Sequence, residues 1–329
     1  MCDGIRTDSC NLWMLLLPKI PMRDLLVIAH GKLQSGSAGR RWARAELRLQ
    51  EIFGNRFEIQ FTSAREDATR MARSALESGA GWLAAAGGDG TIHEVVNGYF
   101  NGEKNIRPEA ALSFIPCGSG NDWARTLAIP AHAPDAVAAL PRSGIRRVDV
   151  GLAEFQSPDG LVNERVFLNI AEAGVGGRMV AHLNDGIGLK RTRIGYRLNT
   201  IAAALTYRRS SLEIVIDGSP AISTGPVLSL IIAGGQYFGS GMRCAPMARP
   251  DDGLLEVIVI GNFGSVELLW KIHRFFSGSY LNDRKITHLS ARSLEVRAAE
   301  RICLELDGEF VGTLPARFRI LPAALAIRC

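Results

Sequence analysis

Several signatures that would assign a function directly are missing from this 329-residue sequence. The six cysteines form no C-x-x-C pair, which predicts reduced thiols of a cytosolic protein rather than a disulfide framework. His93-Glu94 is not followed by a second histidine three residues on, so an H-E-x-x-H zinc site is excluded. No stretch reads G-x-x-x-x-G-K-[ST] or G-x-G-x-x-G, so a Walker A loop and a dinucleotide fingerprint are excluded as well.

Long hydrophobic runs are also scarce. Residues 12–17 are apolar, but Pro18 ends the run well short of the ~20 residues that a transmembrane helix needs. The sequence before it does not resemble a secretory signal peptide. Residues 1–22 are therefore predicted to be a flexible N-terminal extension, with Met22 as an alternative start to Met1. A cytoplasmic protein is expected.

Composition describes an ordinary globular chain. Apolar residues make up 47% of the sequence and aromatic residues 7%, which excludes a disordered chain. A length of 329 residues suits two domains and a sizeable core. The net charge of +5 favours anionic partners, whether a nucleotide, a nucleic acid or an acidic lipid surface.

Two glycine-rich stretches carry most of the chemical information, GGDGT at residues 87–91 and GSGND at residues 118–122. Each follows an apolar run typical of a strand and precedes a helical pattern. Glycine lets the backbone approach an anion, while the first N–H groups and the dipole of the following helix face it. Asp89 and Asp122 place carboxylates where a nucleotide phosphate needs Mg²⁺ or a base. One such loop alone can be merely a tight turn, but the pair predicts phosphoryl transfer.

The periodicity changes along the chain. The first part alternates strand and helix patterns, which predicts a mostly parallel sheet with helices on both faces and ligands at the carboxyl ends of its strands. Strands are predicted at residues 25–29, 57–62, 82–86 and 111–115, and helices at 38–53, 66–77, 92–99 and 122–127. After about residue 146 the pattern consists of short β-branched runs, among them 212–216, 227–233 and 254–260, and of Asp-Gly turns at residues 159, 217, 252 and 307. Domains are therefore predicted at residues 23–145 and 146–329.

Four motifs in one order resemble the diacylglycerol kinase catalytic family, which includes sphingosine and ceramide kinases and bacterial lipid kinases. They are AGGDGTIHEVVNGY at 86–99, PCGSGNDWA at 116–124, APMARPDDGL at 245–254 and LDGE at 306–309. The resemblance implies a doubly wound α/β nucleotide-binding domain, a β-sandwich-like lipid-binding domain and an active site in the cleft between them. It also implies that the last strand returns to the first domain.

The resemblance further implies a set of site residues. Nucleotide binding is expected from Thr62, Gly87, Gly88, Asp89, Gly90, Thr91, Glu94, Gly118, Ser119, Asn121 and Asp122. Glu309 is the expected general base, Asp307 belongs to the adjoining metal and water network, and Asp89 is the rival base. For Mg²⁺ the resemblance implies the Asp252 carboxylate and the backbone carbonyls of Arg249 and Leu254.

One part of the sequence departs from the family. Where the first loop normally reads Asn-Pro-x-Ser-Gly, this chain has HGKLQSG at residues 30–36. Ser35-Gly36 is retained and the glycines keep the loop flexible. Phosphate binding is still expected, whereas the sequence does not define which residues contact adenosine.

A basic segment at residues 188–209 carries six cations and no acidic side chain, interleaved with apolar residues at helical spacing. A solvated helix face and a helix that contacts anionic lipid both fit this pattern. No RNP, zinc or helix-turn-helix signature supports nucleic acid.

These observations predict an ATP- and Mg²⁺-dependent lipid kinase at the inner face of the membrane, with diacylglycerol as the first candidate acceptor. A sphingoid-base or ceramide kinase is the alternative, because Ser119 and His93 are similar to residues of the sphingosine kinases. An enzyme similar to NAD kinase shares the GGDGT turn, but Asp252 and Glu309 favour the lipid branch. A non-catalytic lipid-surface protein is the other alternative, and a homodimer is left open.

Overall fold

The computed structural model describes residues 24–184, 203 and 206–329. The predicted extension at residues 1–22 lies outside the described residues, as does most of the basic segment at 188–209. At the end of that segment, Arg209 donates hydrogen bonds to the carbonyls of Tyr207 and Phe263 and is therefore used inside the fold.

The first half of the chain alternates strands and helices, as its sequence predicts. Its strands are β1 (Leu25–Ala29), β2 (Phe57–Phe61), β3 (Trp82–Gly87), β4 (Phe100–Asn101), β5 (Lys104–Asn105) and β6 (Ala111–Pro116). Strands β2, β1, β3 and β6 lie side by side in that order and are parallel, while β4 and β5 form a separate short hairpin. The parallel order places the loops after β1, β2, β3 and β6 at one edge of the sheet.

Helices cover both faces of this sheet. They are α1 (Gly36–Phe53), α2 (Asp67–Glu77), α3 (Asp89–Tyr99), α4 (Asp122–Thr126) and α5 (Ala133–Ala139), with short 3₁₀ turns at Gly31–Gln34 and Leu140–Arg142. Trp42 and Leu49 of α1 are in one apolar cluster with Val137 of α5. Leu76 of α2 and Val95 of α3 belong to the cluster on the opposite face. The doubly wound architecture predicted from the alternating pattern is confirmed.

The second half is mainly antiparallel. Its elements are β7 (Ile145–Gln156), β8 (Val162–Phe167), β9 (Ile170–Gly174), α6 (Val175–Asn184), β10 (Ser210–Ile216), β11 (Ile222–Val227), β12 (Ser229–Ala233), β13 (Leu255–Ile260), α7 (Ser265–Ser277), a 3₁₀ turn at Ser279–Asn282, β14 (Ile286–Ala291), β15 (Ser293–Ala298), β16 (Cys303–Leu306) and β17 (Glu309–Arg328). Side chains from several of these strands, including Phe167, Leu212, Val257 and Phe318, form one buried apolar cluster. The predicted β-sandwich-like second domain is confirmed.

Strand β17 connects the two halves. It pairs antiparallel with β16, β15 and β7, and near its end it pairs parallel with β6 through Ala326 and Ile327. Leu325 and Ile327 are fully buried in the core of the first half. The sheet of the first half therefore includes residues from the far end of the sequence.

Several predicted element bounds need correction. Helix α3 begins at Asp89 instead of residue 92, because the glycine loop passes directly into helical backbone. The run 227–233 is broken at Leu228, which separates β11 from β12. The turn at Asp252-Gly253 is not a tight hairpin, because it lies at the end of the long connection, residues 234–254, between the paired strands β12 and β13. Within the described part of the chain, no helix combines the length and apolar character needed to cross a bilayer.

Candidate active site

A cavity of about 960 Å³ lies where the loops of the parallel sheet meet the β16–β17 turn. Both halves of the chain line it. Of the residues predicted from the sequence, it brings together Thr62, Gly87, Gly88, Asp89, Gly90, Thr91, Glu94, Gly118, Ser119, Asp122, Asp307 and Glu309. Asn121, Arg249, Asp252 and Leu254 are not among its lining residues.

The two glycine loops touch each other on the floor of this cavity. Gly118 N donates to Gly87 O at 3.0 Å, and the neighbouring Cys117 N donates to the same carbonyl at 2.8 Å. A Cβ atom placed on Gly118 would lie 2.4 Å from the Cα of Gly88. Only glycine permits this approach, so both loops expose backbone to the cavity with no side chain between them.

Thr91 and Asn121 hold the loops from within. The Thr91 side chain packs beneath Gly87, and its Oγ1 is buried without a hydrogen-bond partner. Asn121 has a left-handed backbone with φ of +54°. Its side chain accepts from Gly118 N and donates to Gly118 O, both at 3.1 Å. Asn121 therefore shapes the second loop, whereas Thr91 presents an unused hydroxyl beside the first.

Asp89 and Asp122 form an acidic centre between the loops. Asp89 Oδ1 accepts from Trp123 N at 3.2 Å, and Asp122 Oδ2 accepts from Ser240 N at 2.8 Å. Burial, and to a smaller extent the negative charge of Asp122, together raise the pKa of Asp89 to about 6. A Cβ atom on Gly120 would lie 2.8 Å from Asp89 Oδ2. This arrangement favours a cation or another positive group at the cavity end of Asp89.

Asp307 is engaged on all sides. Its Oδ1 accepts from the N–H groups of Asn169 and Ile170, and its Oδ2 accepts from Leu168 N, all at 2.9 Å. His93 Nδ1 lies 3.0 Å from Oδ2, and both side chains are almost fully buried. The left-handed φ of +49° at Asp307 makes the tight β16–β17 turn. Asp307 therefore joins α3 to the second half and positions the residue that follows the turn.

That residue is Glu309, the expected base. A Cβ atom on Gly90 would lie 3.3 Å from Glu309 Oε1, so the carboxylate sits over the first turn of α3. Its other oxygen, Oε2, accepts from Arg65 Nη2 at 3.1 Å. The side chain is 28% exposed and lines the cavity. Glu309 is accessible to a substrate in a way that Asp307 is not.

The first loop, residues 30–36, which departs from the family pattern, is held in place by the side chain of its own histidine, His30. His30 Nδ1 accepts from Lys32 N at 3.0 Å, and Gly31 N donates to Thr62 Oγ1 at 3.1 Å. Burial lowers the pKa of His30, and the nearby positive charge of Lys32 lowers it further. Glu94 accepts from Ala68 N at 3.2 Å and so anchors the start of α2. Thr62 and Glu94 thus both support the cavity wall.

Comparison with known proteins finds a family match in each half of the chain. Residues 24–153 match the diacylglycerol kinase catalytic domain, and residues 169–329 match the "YegS C-terminal NAD kinase beta sandwich-like domain". A relative from Pseudomonas aeruginosa, "Probable lipid kinase YegS-like", is 30% identical over 308 residues, which cover 92% of this chain and 93% of the relative. The chain belongs to the diacylglycerol kinase catalytic family.

Other members of the diacylglycerol kinase catalytic family are similar over most of the chain. The "Diacylglycerol kinase" of Bacillus subtilis is 30% identical over 261 residues, covering 78% of this chain and 80% of that one. A crystal structure of a diacylglycerol kinase from Bacillus anthracis has a TM-score of 0.67 at 22% identity, covering 94% of this chain and 98% of that one. The structural likeness shows the fold, and the sequence relatives support a lipid kinase.

The loop that family resemblance assigns to Mg²⁺ lies away from the cavity. Asp252 is exposed, and its Oδ1 accepts from Leu254 N at 3.1 Å. Partial desolvation of its carboxylate by the surrounding loop raises the pKa of Asp252, and the charges of Glu256 and Asp149 add to this. Asp149 is buried and holds the loop through Gly253 N at 2.7 Å. Among the described residues no group of three or more His, Cys, Asp or Glu side chains could hold a metal ion.

An oxygen-only donor set, one carboxylate plus backbone carbonyls, is nevertheless suited to Mg²⁺, and the neighbouring acids would favour a cation. Asp252 would hold it together with the carbonyls of Arg249 and Leu254. The residues present therefore fit a cation. Because this loop does not line the cavity, that cation would stabilise the loop itself.

The lining residues that were not predicted from the sequence include four polar ones: Arg65, Asn169, Ser240 and Glu305. Arg65 and Ser240 lie in loops, and Asn169 and Glu305 lie outside the glycine motifs. No spacing rule connects Arg65, Asn169 or Ser240 to a motif. The β16–β17 turn is the signal that could have pointed to Glu305, since it lies two residues before Asp307.

Proposed function

We propose that this protein transfers the γ-phosphate of ATP to a hydroxyl group of a membrane lipid, with diacylglycerol as the first candidate. The observation that carries the proposal is the single cavity that joins two glycine loops to the Glu309 carboxylate. Phosphoryl transfer needs a phosphate cradle, charge stabilisation and a group that accepts the acceptor's proton. The cavity contains a candidate for each.

The glycine loops are the proposed phosphate cradle. The backbone at Gly88 and Gly90 lies at the start of α3, where N–H groups and the helix dipole favour an anion. The buried, unpartnered Oγ1 of Thr91 adds a hydroxyl at the same place. Asp89 and Asp122 face this region with carboxylates that would orient a Mg²⁺–nucleotide complex. Mg²⁺ bound with the nucleotide would neutralise phosphate charge.

Glu309 is the proposed general base. It lies over the first turn of α3, so an acceptor hydroxyl that approaches the phosphate passes beside its carboxylate. A lipid alcohol ionises far above neutral pH, so a carboxylate within hydrogen-bond reach must take the proton as the new P–O bond forms. Arg65 pairs with Glu309, and its guanidinium would compensate charge on the transferring phosphate.

Asp89 is the rival base, and one observation favours it. Its pKa of about 6 makes it a stronger base than an ordinary Asp carboxylate. This assignment would move the protein towards the sphingosine kinases. Against it, Asp89 accepts from Trp123 N and faces Gly120, which places it within the loops. The variants Asp89→Asn and Glu309→Gln, each of which replaces a carboxylate by an amide, separate the two assignments.

Peripheral contact with the inner face of the membrane is also proposed, because the acceptor is a lipid. The basic segment at residues 188–209 is the sequence feature that supports it. Replacing Arg191, Arg193 and Arg197 by Glu should weaken co-sedimentation with anionic vesicles, since each surface cation contributes about 1 kcal/mol. Binding that is unchanged and insensitive to salt would contradict this role.

The deciding experiment is incubation with radiolabelled ATP and mixed micelles of single lipids, followed by chromatographic separation of the product. Diacylglycerol, ceramide and sphingosine form the panel, with NAD as a soluble acceptor. Labelled phosphatidic acid is the expected product. Labelled ceramide or sphingosine phosphate would favour the alternative acceptors. No ATP consumption with any lipid would favour a non-catalytic protein.

A further inference from the structure

The long connection between β12 and β13 reaches α4 of the first half, and the proposed transfer gives this contact no role. Gln236 N donates to Thr126 Oγ1 at 3.0 Å. Gly235 packs on the ring of Trp123, where a Cβ atom would lie 3.0 Å from the ring carbons. Residues 235–241, called the bridging segment below, therefore lie against the short helix that follows the second glycine loop.

A tight loop in the bridging segment brings a backbone N–H group to Asp122. Phe238 and Met242 exchange hydrogen bonds of 2.9 Å in both directions, which closes the loop between them. The three residues of the loop, 239–241, all have positive φ. At its centre, Ser240 N donates to Asp122 Oδ2 at 2.8 Å. The orientation of a carboxylate in the first half therefore depends on a loop of the second half.

Arg125 of α4 holds this loop in place. Its Cζ lies 5.4 Å from the centroid of the Tyr237 ring, within the ~6 Å of a cation–π contact. A Cβ atom on Gly241 would lie 2.4 Å from Arg125 Nη1, so the guanidinium fills the space that a side chain at this position would need. The same Nη1 lies 3.6 Å from Asp122 Oδ1. Arg125 thus contacts both the loop and the carboxylate that the loop binds.

The relative strength of these contacts indicates how Arg125 acts on Asp122. The Arg125 side chain is 39% exposed, so solvent screens its charge and a 3.6 Å ion pair contributes little by itself. The Ser240 N–H bond ends on a buried carboxylate, and such charge-assisted bonds are the stronger ones. Arg125 is not among the residues that line the cavity. Its main effect on Asp122 therefore passes through the loop.

We propose that Arg125 is a positioning residue, which keeps the Ser240 N–H on Asp122 and so aligns this carboxylate for the Mg²⁺–nucleotide complex. It does so by stacking on Tyr237 and packing against Gly241. The inference rests on the proposed function, in which Asp122 is one of the two acids that orient this complex. It makes a loop of the second half necessary for tight binding of the nucleotide in the first.

The test measures the affinity of the full-length protein for Mg²⁺–ATP and for metal-free ATP by fluorescence titration. Arg125→Ala should weaken Mg²⁺–ATP binding by about 10-fold, because Asp122 acts on the nucleotide through the cation. The affinity for metal-free ATP, to which a carboxylate adds no attraction, should change less than twofold. Tyr237→Leu removes the stack from the other side and should have the same selective effect. The double variant should bind no more weakly than Arg125→Ala alone.

Arg328→Ala is the matched control, because it removes a guanidinium stacked at 4.2 Å on the Trp82 ring, outside the cavity lining. Both affinities should stay within twofold in this control. Equal losses for Mg²⁺–ATP and metal-free ATP in Arg125→Ala, or no loss of either, would overturn the inference and leave the proposed function intact. Additive losses in the double variant would overturn it too. If Arg125→Ala fails to fold, the selectivity of Tyr237→Leu decides. An unaltered protein that does not bind Mg²⁺–ATP overturns both proposals.

Discussion

Replacing Asp89 with Asn is expected to stabilise the fold while it removes catalysis. Asp89 is crowded between the glycine loops, where burial and the charge of Asp122 raise its pKa from 3.8 to about 6. The ionised form is therefore disfavoured in the folded protein. Asn is neutral at every pH, is similar in shape and can still accept from Trp123 N.

The sign and size of the stability change expected for Asp89→Asn follow from linkage between proton binding and folding. A raised folded-state pKa contributes stability that is fully present below the unfolded value of 3.8 and is lost as the pH rises through about 6. Above that, the ionised Asp89 disfavours folding by about 3 kcal/mol, at 1.36 kcal/mol per pKa unit. The Asn variant should recover most of this lost free energy of unfolding at about pH 8 and almost none of it at about pH 4.

Thermal unfolding of the nucleotide-free protein at both pH values tests the reasoning. A change of 1 kcal/mol moves Tm by about 2–4 °C for a chain of 150–250 residues, so a rise of several degrees is expected at about pH 8. Transfer should fall by about 30-fold or more, because Asp89 orients the Mg²⁺–nucleotide complex in the proposed mechanism. An equal change in Tm at both pH values, or activity within twofold of the parent, would refute the argument.

Three other variants test the site. Glu309→Gln should lower kcat by about 10²–10⁴-fold and leave ATP affinity, measured by fluorescence titration, nearly unchanged. If it retains most of kcat while Asp89→Asn abolishes transfer without loss of ATP binding, the base is Asp89. Arg65→Ala should lower kcat about 10-fold, whereas Arg70→Ala on the neighbouring helix, as its control, should stay within twofold. Gly118→Ala should destabilise the protein by about 1–3 kcal/mol and weaken ATP binding, because its Cβ meets backbone at 2.4 Å. Equal nucleotide affinity in Gly118→Ala and the unaltered protein would contradict the contact between the loops.

The sequence predicts the glycine loops well because their geometry is local. A loop such as GGDGT after an apolar strand determines its own turn and the helix that follows, so Gly88, Asp89 and Thr91 were identifiable without a structure. Asp307-Gly308 likewise forms its turn from two adjacent residues, both with positive φ. Family resemblance then added the relation of this turn to the loops. The division of the chain near residue 145 and the role of Glu309 stay predictions.

The remaining parts of the site depend on register and long-range contacts. Glu172 and Glu305 face each other only because β9 and β16 are neighbours in one register, and no periodicity within either strand reveals this. Arg65 meets Glu309 across 244 positions of sequence. Asn169 resembles any polar residue after a strand until the structure shows that it lines the cavity.

The path of β17 has a consequence for biosynthesis. Its residues Leu325 and Ile327 fill the core of the nucleotide-binding half, and Ala326 pairs with Ala111 of β6. While the chain is emerging from the ribosome, β6 therefore has an open edge until more than two hundred further residues have been made. An unpaired strand edge is a site of wrong pairing. We expect the nucleotide-binding half to complete its folding only after synthesis of β17, and to need protection from aggregation before then.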